Sequence, residues 1–412
     1  MAGRLQVTVG RDRADFVGAD DLAIQAAVDF VALRGGGTVR IGKGTYRLHN
    51  SVRLRSGVSL VGSGLETVLF KEPSTTVPLT DDTDWYDHHV TVADPSPFRV
   101  GGGILLQATC PHSGSEQVII TTVLGIQGHR LDLASQARGP DGGAHRGNFW
   151  VGHSPTASTL FSLVTANWAT DLRVADLAID GNRGRSAYLN GNYGAALYFQ
   201  DCERVLIENV EVAHIESDCL SFQVVHDLTV RDCRFLDAVQ GVHAGSGSQR
   251  PVIRGNLIRG ATGNGGLVWC WGVRHGLAED NTIEDCAIGI NIGHRDTDNI
   301  MRGNAIRRCT QGGLVYRPDP PHQAAHDNRV EGNLFEDIGT PDKPGCGIDI
   351  GGPVHGNVLR ANHIACTRPG LMHAGICIGP TAGENTLADN TVEGIAMAVE
   401  DRRPARGSDA GG

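Results

Sequence analysis

Val252-Ile253-Arg254-Gly255-Asn256-Leu257-Ile258 reads as an apolar pair, a polar turn closed by Asn, and the opening of a second apolar strand. The phrase returns along the chain, with Asn209, Asn281, Asn304, Asn333, Asn362 and Asn390 closing the turn. Asn256 to Asn281 is 25 residues and Asn281 to Asn304 is 23. Cys233 takes the slot 24 after Asn209 and 23 before Asn256, and the later gaps are 29, 29 and 28. An Asn repeated at this spacing has a physical use. It tolerates the left-handed turn conformation, and its amide can bond the same amide one coil above and below.

A small residue opens a further strand in each unit. These strands are Ala196-Leu197-Tyr198-Phe199, Cys219-Leu220-Ser221-Phe222, Gly241-Val242-His243-Ala244, Gly266-Leu267-Val268-Trp269, Gly289-Ile290-Asn291-Ile292, Gly313-Leu314-Val315-Tyr316, Gly347-Ile348-Asp349-Ile350 and Gly375-Ile376-Cys377-Ile378. Three short strands per unit, with a period in the twenties, predict a parallel β-helix. Leucine-rich repeats share the period, but their Leu-x-x-Leu-x-Leu pattern is missing.

Towards the N-terminus, Asp20 reads as the N-cap of a helix over about Asp21–Arg34, with Leu22, Ala26, Ala27, Phe30 and Val31 on one face. Gly35-Gly36-Gly37 ends it, and strands follow at Thr38–Ile41, Val52–Leu54 and Val58–Val61. Such a helix would plug the open end of the core. The stretch DDLAIQAAVDFVALRGGGTVRIGKGTYRL, residues 20–48, with SGVSLVGSG, residues 56–64, resembles the opening of pectate-lyase-like right-handed parallel β-helix proteins. The coils from about Thr170 to Asp401 are similar to the repeats of that superfamily. The resemblance implies an all-β fold, the pectin-lyase fold, shared by pectate lyases, polygalacturonases, other glycoside hydrolases, uronate epimerases, fructotransferases and phage tailspikes. It does not choose among them. Such proteins include homotrimers, and the resemblance leaves that assembly open.

The chain then divides into a capping helix with first coils over 1–71, an inserted antiparallel β module with a Gly-rich loop (138–147) over 72–168, β-helix coils over 169–401 and a disordered tail over 402–412. Within the insert, His89–Val92, Val118–Gly125 and Arg130–Leu133 read as strands.

Composition agrees. Gly is common, at 56 of 412 residues, and aromatics are 5%, which suits tight turns and a narrow aliphatic interior. The formal charge of -10 and the lack of a basic run argue against nucleic acid as a partner. No apolar run of membrane-spanning length occurs, so no membrane partner is expected. The start of the chain shows no export signal. That reads as cytoplasmic for the sequence as it stands, or secreted if a leader precedes it. The 10 Cys form no CxxC pair and fall inside strand patterns, as buried free thiols do.

Alternation along the opening strands puts Leu197, Leu220, Val242, Leu267, Ile290, Leu314, Ile348 and Ile376 inward. The outward column is then Tyr198, Ser221, His243, Val268, Asn291, Val315, Asp349 and Cys377. A second outward column holds Gln200, Gln223, Gly245, Cys270, Gly293, Arg317, Gly351 and Gly379. Polar groups gather on the coils from Tyr198 to Arg317. Acids, His, Arg and Trp together suit a poly- or oligosaccharide, since Trp faces stack on sugar rings and Arg holds hydroxyls or carboxylates.

The expected catalytic set is Asp218, His243, Tyr198, Asp296 and Asp349, and the expected substrate contacts are Gln223, Arg250, Trp271, Arg274, His294, Arg295 and Arg317. Each has a plainer reading. Asp218 could bond backbone amides in its turn, the run His294–Asp298 could be a hydrogen-bonded turn, and Trp269 is expected in the core. Ser217-Asp218-Cys219 is similar to the Asp-Asp-Cys phrase of polygalacturonases, and Gly241-Val242-His243 falls where those enzymes carry Gly-His-Gly. Residue 217 departs from that family, as does the sequence from 245 onward, and its Arg-Ile-Lys phrase is absent.

Glycosidic cleavage is the first expectation, with hydrolysis slightly favoured. Asp218 would serve as acid or base, with Asp296 or Asp349 as its partner. β-Elimination or C5 epimerisation of a uronate is the second, with Tyr198 and His243 handling the proton and Arg250, Arg295 or Arg317 neutralising the carboxylate. A non-catalytic glycan-binding β-helix is the third. No cofactor is required and no metal site is expected, although the acids of 294–298 could take Ca2+. Asp81, Asp82, Asp84, Asp87, His88 and His89 look metal-like but read better as a charge run.

Overall fold

In the computed structural model, residues 5–110, 114–135 and 147–404 are described. The Gly-rich loop read at 138–147 falls almost wholly outside them, as does the tail beyond 404. The chain forms two compact units. The first is Met1–Cys202 with Asn209–Ser221, and the second is Glu203–Glu208 with Phe222–Gly412. The architecture is the expected right-handed parallel β-helix with an N-terminal capping helix and a small β insert. Among the described residues, no helix is long and apolar enough to cross a membrane.

In the first unit, Leu5–Gly10 pairs in parallel with Gly37–Ile41, which pairs with Val58–Val61, which pairs with Thr170–Asp180. Gly44–Leu48 pairs with Thr67–Lys71, and Val52–Arg53 with Val164–Asn167 and then Leu197–Gln200. The helix runs over Asp21–Leu33, and the side chain of Asp20 accepts from the backbone N–H of Ala23 at 3.1 Å. The buried face differs from the expected one. Ile24, Ala27, Val28 and Val31 are fully buried, whereas Leu22 is 53% and Phe30 39% exposed. The i, i+3, i+4, i+7 spacing from Ile24 defines the stripe, and Phe30 instead lies 5.8 Å from Phe16.

The insert is a separate antiparallel sheet. Its strands run Thr76–Pro78, Thr156–Ser158, Gly103–Thr109, Glu116–Gln127, Arg130–Leu133 and His89–Thr91 in spatial order. It has its own core, with Val90, Ile104, Leu106, Leu131, Phe149 and Ala157 fully buried.

The second unit stacks three strand columns. One runs through Val252–Arg254, Leu277–Glu279, Ile300–Arg302, Arg329–Glu331, Val358–Arg360 and Thr386–Ala388. Another runs through Leu257–Ala261, Thr282–Glu284, Ala305–Arg307, Leu334–Glu336, His363–Ala365 and Thr391–Glu393. The third carries the polar column. Its register places His243 opposite Val268, Val268 opposite Asn291, Asn291 opposite Val315, Val315 opposite Asp349, Asp349 opposite Cys377 and Cys377 opposite Glu400. The inward partners Val242, Leu267, Ile290, Leu314, Ile348 and Ile376 are 0–1% exposed, as alternation requires.

The Asn ladder runs from Asn256 to Asn390. Asn281 Nδ2 donates to Asn304 Oδ1 at 2.9 Å, and the same oxygen accepts from Asn281 N at 3.0 Å. The left-handed position is the residue before each Asn, as at Asp280 (φ 54), Gly303 (φ 65) and Ala361 (φ 52), so the Asn serves for its amide and not for its backbone. Asn209 is outside the ladder. It is itself left-handed (φ 51) and donates to Asp176 Oδ1 at 2.7 Å. A second ladder, through Asn299, Asn328, Asn357 and Asn385, was not expected from the sequence.

Candidate functional site

Tyr198 and Asp218 belong to the first unit, where the segment 182–194 lies over them. Asp218 is fully buried, and a Cβ on Gly191 would collide with its carboxylate. Ser221 Oγ donates to Gly191 O at 2.6 Å, Ser217 Oγ to Leu189 O at 2.5 Å and Tyr198 Oη to Asn192 O at 3.0 Å. In this conformation the Asp218 carboxylate meets no solvent, so it cannot touch a polymer unless that segment moves.

The other expected residues belong to the second unit. His243 is outward in register but only 5% exposed, and Gln223, also 5% exposed, packs against Gly245, where any Cβ would strike its amide. Arg250 faces away from this column. Its guanidinium holds Asp227 through two bonds, at 2.7 and 2.9 Å, on an exposed surface. That pairing holds the Asp227 carboxyl below its ordinary value. Arg274, bridged to Gln249 and Thr297, and Arg295, at a turn, are both exposed. Asp349 is half-buried, and its pKa is raised, first by burial.

Three of the expected residues come together with one that was not expected. The ring of Trp271, 42% exposed, stacks on His294 at 4.5 Å with 16° between the planes. Trp269 is in the core, as alternation predicts. Asp319, missed in the sequence, accepts from the backbone N–H of His294 at 2.6 Å and lies 3.1 Å from its Nδ1, too far out of line for a hydrogen bond. Arg317 donates from Nε to Asn291 Oδ1 at 2.8 Å, from Nη2 to Trp269 O at 2.7 Å and from Nη1 to Cys270 Sγ at 3.6 Å. Gly293 makes this packing possible, because a Cβ there would lie 2.4 Å from Asp319 Oδ2 and 2.9 Å from Arg317 Cβ.

The electrostatics follow from the packing. Burial, then the Arg317 charge, lowers the pKa of His294 against the opposing pull of Asp319, so the imidazole is neutral near pH 7. Among the described residues, no carboxylate lies within ion-pair distance of Arg317, and two of its five N–H groups are left over from the bonds above. Asp296 is fully buried and pushed up to about 7 by that burial. Its Oδ1 accepts from Gly272 N and Val273 N at 2.9 and 2.8 Å, and Oδ2 from Gly293 N at 3.2 Å. Asp296 therefore ties the turn beneath Trp271 to the turn that carries His294, and has no open face.

The acids at 81–87 are likewise used locally. Trp150 Nε1 and Tyr86 Oη donate to Asp84, and Val151 N to Asp82. The sequence reading also missed a surface cleft of the first unit. Trp168, 68% exposed, stands there beside Arg53 and Arg55. Its left-handed backbone (φ 53) places it at a turn, which the strand pattern does not single out.

Residues 176–340 match the family described as periplasmic copper-binding protein (NosD). No curated protein matches in sequence. Among solved structures, the A-module of the mannuronan C-5 epimerase AlgE6 of Azotobacter vinelandii is similar over 94% of this chain and 93% of its own, with TM-score 0.55 and 14% identity. The AlgE4 A-module of the same organism is similar over 96% and 100%, with TM-score 0.52 and 15% identity. The surface adhesin PfbA of Streptococcus pneumoniae is similar over 98% and 96%, with TM-score 0.57 and 12% identity. At these identities the likeness is one of fold, the right-handed parallel β-helix.

Proposed function

We propose that this protein is a carbohydrate-active enzyme that takes an anionic, uronate-containing glycan at Trp271, His294 and Arg317. The observation that carries the reading is Arg317, a half-buried guanidinium without an ion-pair partner among the described residues, beside a neutral imidazole. Trp271 offers an apolar face to a sugar ring, and Arg317 offers its remaining N–H groups to the uronate carboxylate. With that carboxylate neutralised, the adjacent C5 proton becomes acidic enough for His294 to remove. Loss of the C4–O4 bond from the resulting carbanion, with O4 taking a proton from the His294 imidazolium or from water, gives an unsaturated uronate and a new chain end. Delivery of a proton from water to the other face of C5 gives the epimer, leaves the chain whole, and releases the first proton from His294 to solvent.

The sequence ranked hydrolysis slightly ahead. The geometry supports proton abstraction better, because hydrolysis needs two carboxylates facing the substrate. Here Asp296 is spent on three backbone N–H groups and Asp218 is covered. Two of the similar structures are described as mannuronan C-5 epimerases, a chemistry of the same class. Hydrolysis keeps one observation in its favour. Asp349 is half-buried with a raised pKa, as a general acid requires.

The test incubates the purified chain with polymannuronate, polyguluronate, polygalacturonate and neutral glycans. Three signals are read: ultraviolet absorbance of unsaturated uronate, new reducing ends and C5 configuration by proton NMR. Absorbance or inversion at C5, lost in H294A and R317Q, is expected. Reducing ends without either signal, lost in D349N, would move the assignment to hydrolysis. Activity untouched by all three variants would remove the site.

A further inference from the structure

At the C-terminal end of the second unit, three donor atoms of different chemistry converge. His373 Nε2 lies 3.4 Å from Cys377 Sγ and 3.3 Å from Glu400 Oε2, and Cys377 Sγ lies 3.6 Å from the same Glu400 oxygen. Among the described residues, this is the one group of His, Cys, Asp or Glu side chains whose ligand atoms come together in threes. The fold puts them there by two devices. Cys377 and Glu400 are rung partners in the outward column, and His373 precedes Cys377 by four positions on the strand Met372–Ile378.

The orientation of the imidazole separates two readings of this cluster. In a Cys–His–acid nucleophile, the acid holds Nδ1 and the thiol faces Nε2. Here Nδ1 is taken by a backbone carbonyl, Pro344 O, at 2.9 Å. That bond puts the proton on Nδ1 and leaves the lone pair of Nε2 directed at the thiol and the carboxylate together. A carbonyl on the far nitrogen is the usual outer partner of a metal-bound His. Arg402 Nη2 donates at 2.6 Å to the same Glu400 oxygen, Oε2, and so orients the carboxylate while sharing its ligand atom. Cys346 packs against Cys377 on the core side, and its own Sγ is turned to Ile348 O at 3.0 Å.

The distances match a specific polyhedron. Zinc bonds of about 2.0–2.1 Å to His nitrogen and carboxylate oxygen and about 2.3 Å to thiolate, at tetrahedral angles, give edges of roughly 3.3–3.6 Å between ligand atoms. The three observed separations, 3.4, 3.3 and 3.6 Å, fall in that range without any movement of the side chains. The N, S, O set suits borderline metals such as Zn2+ better than Ca2+ or Mg2+. His373 is exposed and Glu400 partly so, which leaves an entry path from solvent.

We infer that His373, Cys377 and Glu400 form a zinc-type metal site, with three protein ligands and a fourth position left for water. The site lies outside residues 176–340, the part of the chain that matches the copper-binding description. It stands on its own geometry and does not depend on the glycan site around His294.

The experiment titrates Zn2+ into the full chain, reduced and stripped with a chelator, against a chromophoric zinc indicator. Co2+ loading in parallel reads the near-ultraviolet charge-transfer band of a cobalt–thiolate bond. The expected result is one metal per chain, a cobalt–thiolate band, and loss of both in C377S. H373A and E400Q each change an accessible side chain, so they test the site where C377S disturbs folding, and both weaken binding. R402A, which removes the cation that shares Glu400 Oε2, keeps the band. Absence of stoichiometric binding by the wild-type chain would overturn the proposal, as would zinc binding that H373A and E400Q leave unchanged.

Discussion

The indole of Trp271 and the imidazole of His294 stack at 4.5 Å, nearly parallel, one rung apart along the solenoid. The pair has one open aromatic face and one neutral nitrogen base, held by residues 23 apart in sequence. Removing the indole takes away the sugar platform while Asp319 and Asp296 still hold the turn. W271A is therefore expected to weaken glycan affinity by roughly 2- to 12-fold, in line with a stacking contribution of about 0.5–1.5 kcal/mol. Its thermal midpoint should stay close to that of the wild type. Glycan retention on affinity electrophoresis checks the first part, and unchanged retention would argue against the platform.

The charges around His294 set the pH at which it works as a base. The folded pKa is below the ordinary 6.5, so the acidic limb of activity lies below that value. Arg317 lowers this pKa and Asp319 raises it. Neutralising the cation with R317Q should raise the His294 pKa, read by NMR of the imidazole because that variant is expected to be inactive, and D319N should lower it and move the limb to lower pH. Stability follows the same sign. Between the folded and unfolded pKa values the unfolded chain binds more protons, so this group's contribution is lost as pH falls through that window. An acidic limb that D319N leaves in place while NMR shows its His294 pKa lowered would rule out His294 as the base.

Asp296 has the opposite dependence. Its folded pKa of about 7 is above the unfolded 3.8, so the folded state binds more protons in between. Stability from this group is full below pH 3.8 and declines as pH rises to about 7. D296N removes that slope but sets an amide N–H against Gly293 N–H. D296A leaves the three backbone N–H groups that Asp296 accepts without a partner. We expect D296A to cost about 2–4 kcal/mol at neutral pH. Urea unfolding at acid and neutral pH reads both effects, and a D296N slope equal to the wild type's would contradict the titration.

Within the ladder, Asn304 accepts from both the backbone and the side chain of Asn281 and donates from Nδ2 to Ala278 O at 2.9 Å. All of this is buried. N304A strands two donors and an acceptor, and is expected to cost about 2–4 kcal/mol. N209A, at an exposed Asn outside the ladder, should cost only about 1 kcal/mol, chiefly from its left-handed backbone. Equal thermal shifts in the two variants would show that the stacking carries no stability.

What was legible in the sequence was what repeats. The alternation from Leu197 to Ile376 fixes which side chains enter the core, because a one-residue slip would turn every one of them outward. The Asn spacing marks one ladder, and the same 29, 29, 28 spacing at Asn299, Asn328, Asn357 and Asn385 could have marked the other. What was not legible is what crosses between rungs or folds back. No local pattern announces that 182–194 covers Asp218, or that Asp319 returns to His294 across a Pro-rich loop. Cys377 and Glu400 are rung neighbours only once the register is known. On the helix, Phe30 was assigned to the core by its apolarity, yet the position of Ile24 decides which face turns in.

Lys71 offers a test in the first unit, far from any proposed chemistry. It is 3% exposed, its ammonium donates to Glu72 O at 3.1 Å, and it lies 5.2 Å from the Phe161 ring. Burial pushes its pKa down to about 8 from 10.5, while the Glu72 charge opposes the shift. Below pH 8 the folded chain keeps the buried charge and bears the full desolvation penalty. Between 8 and 10.5 the unfolded state binds more protons, so stability rises with pH across that window. Methionine fills the same space without a charge. K71M should therefore be more stable than the wild type at pH 7 by about 1–3 kcal/mol, since a buried charge is replaced by an apolar chain of similar volume. The advantage should shrink towards pH 10, where the wild-type lysine is itself neutral in the fold. Urea unfolding at both pH values separates the outcomes. A K71M chain less stable at pH 7 would mean that the ammonium's contacts with Glu72 and Phe161 outweigh its desolvation.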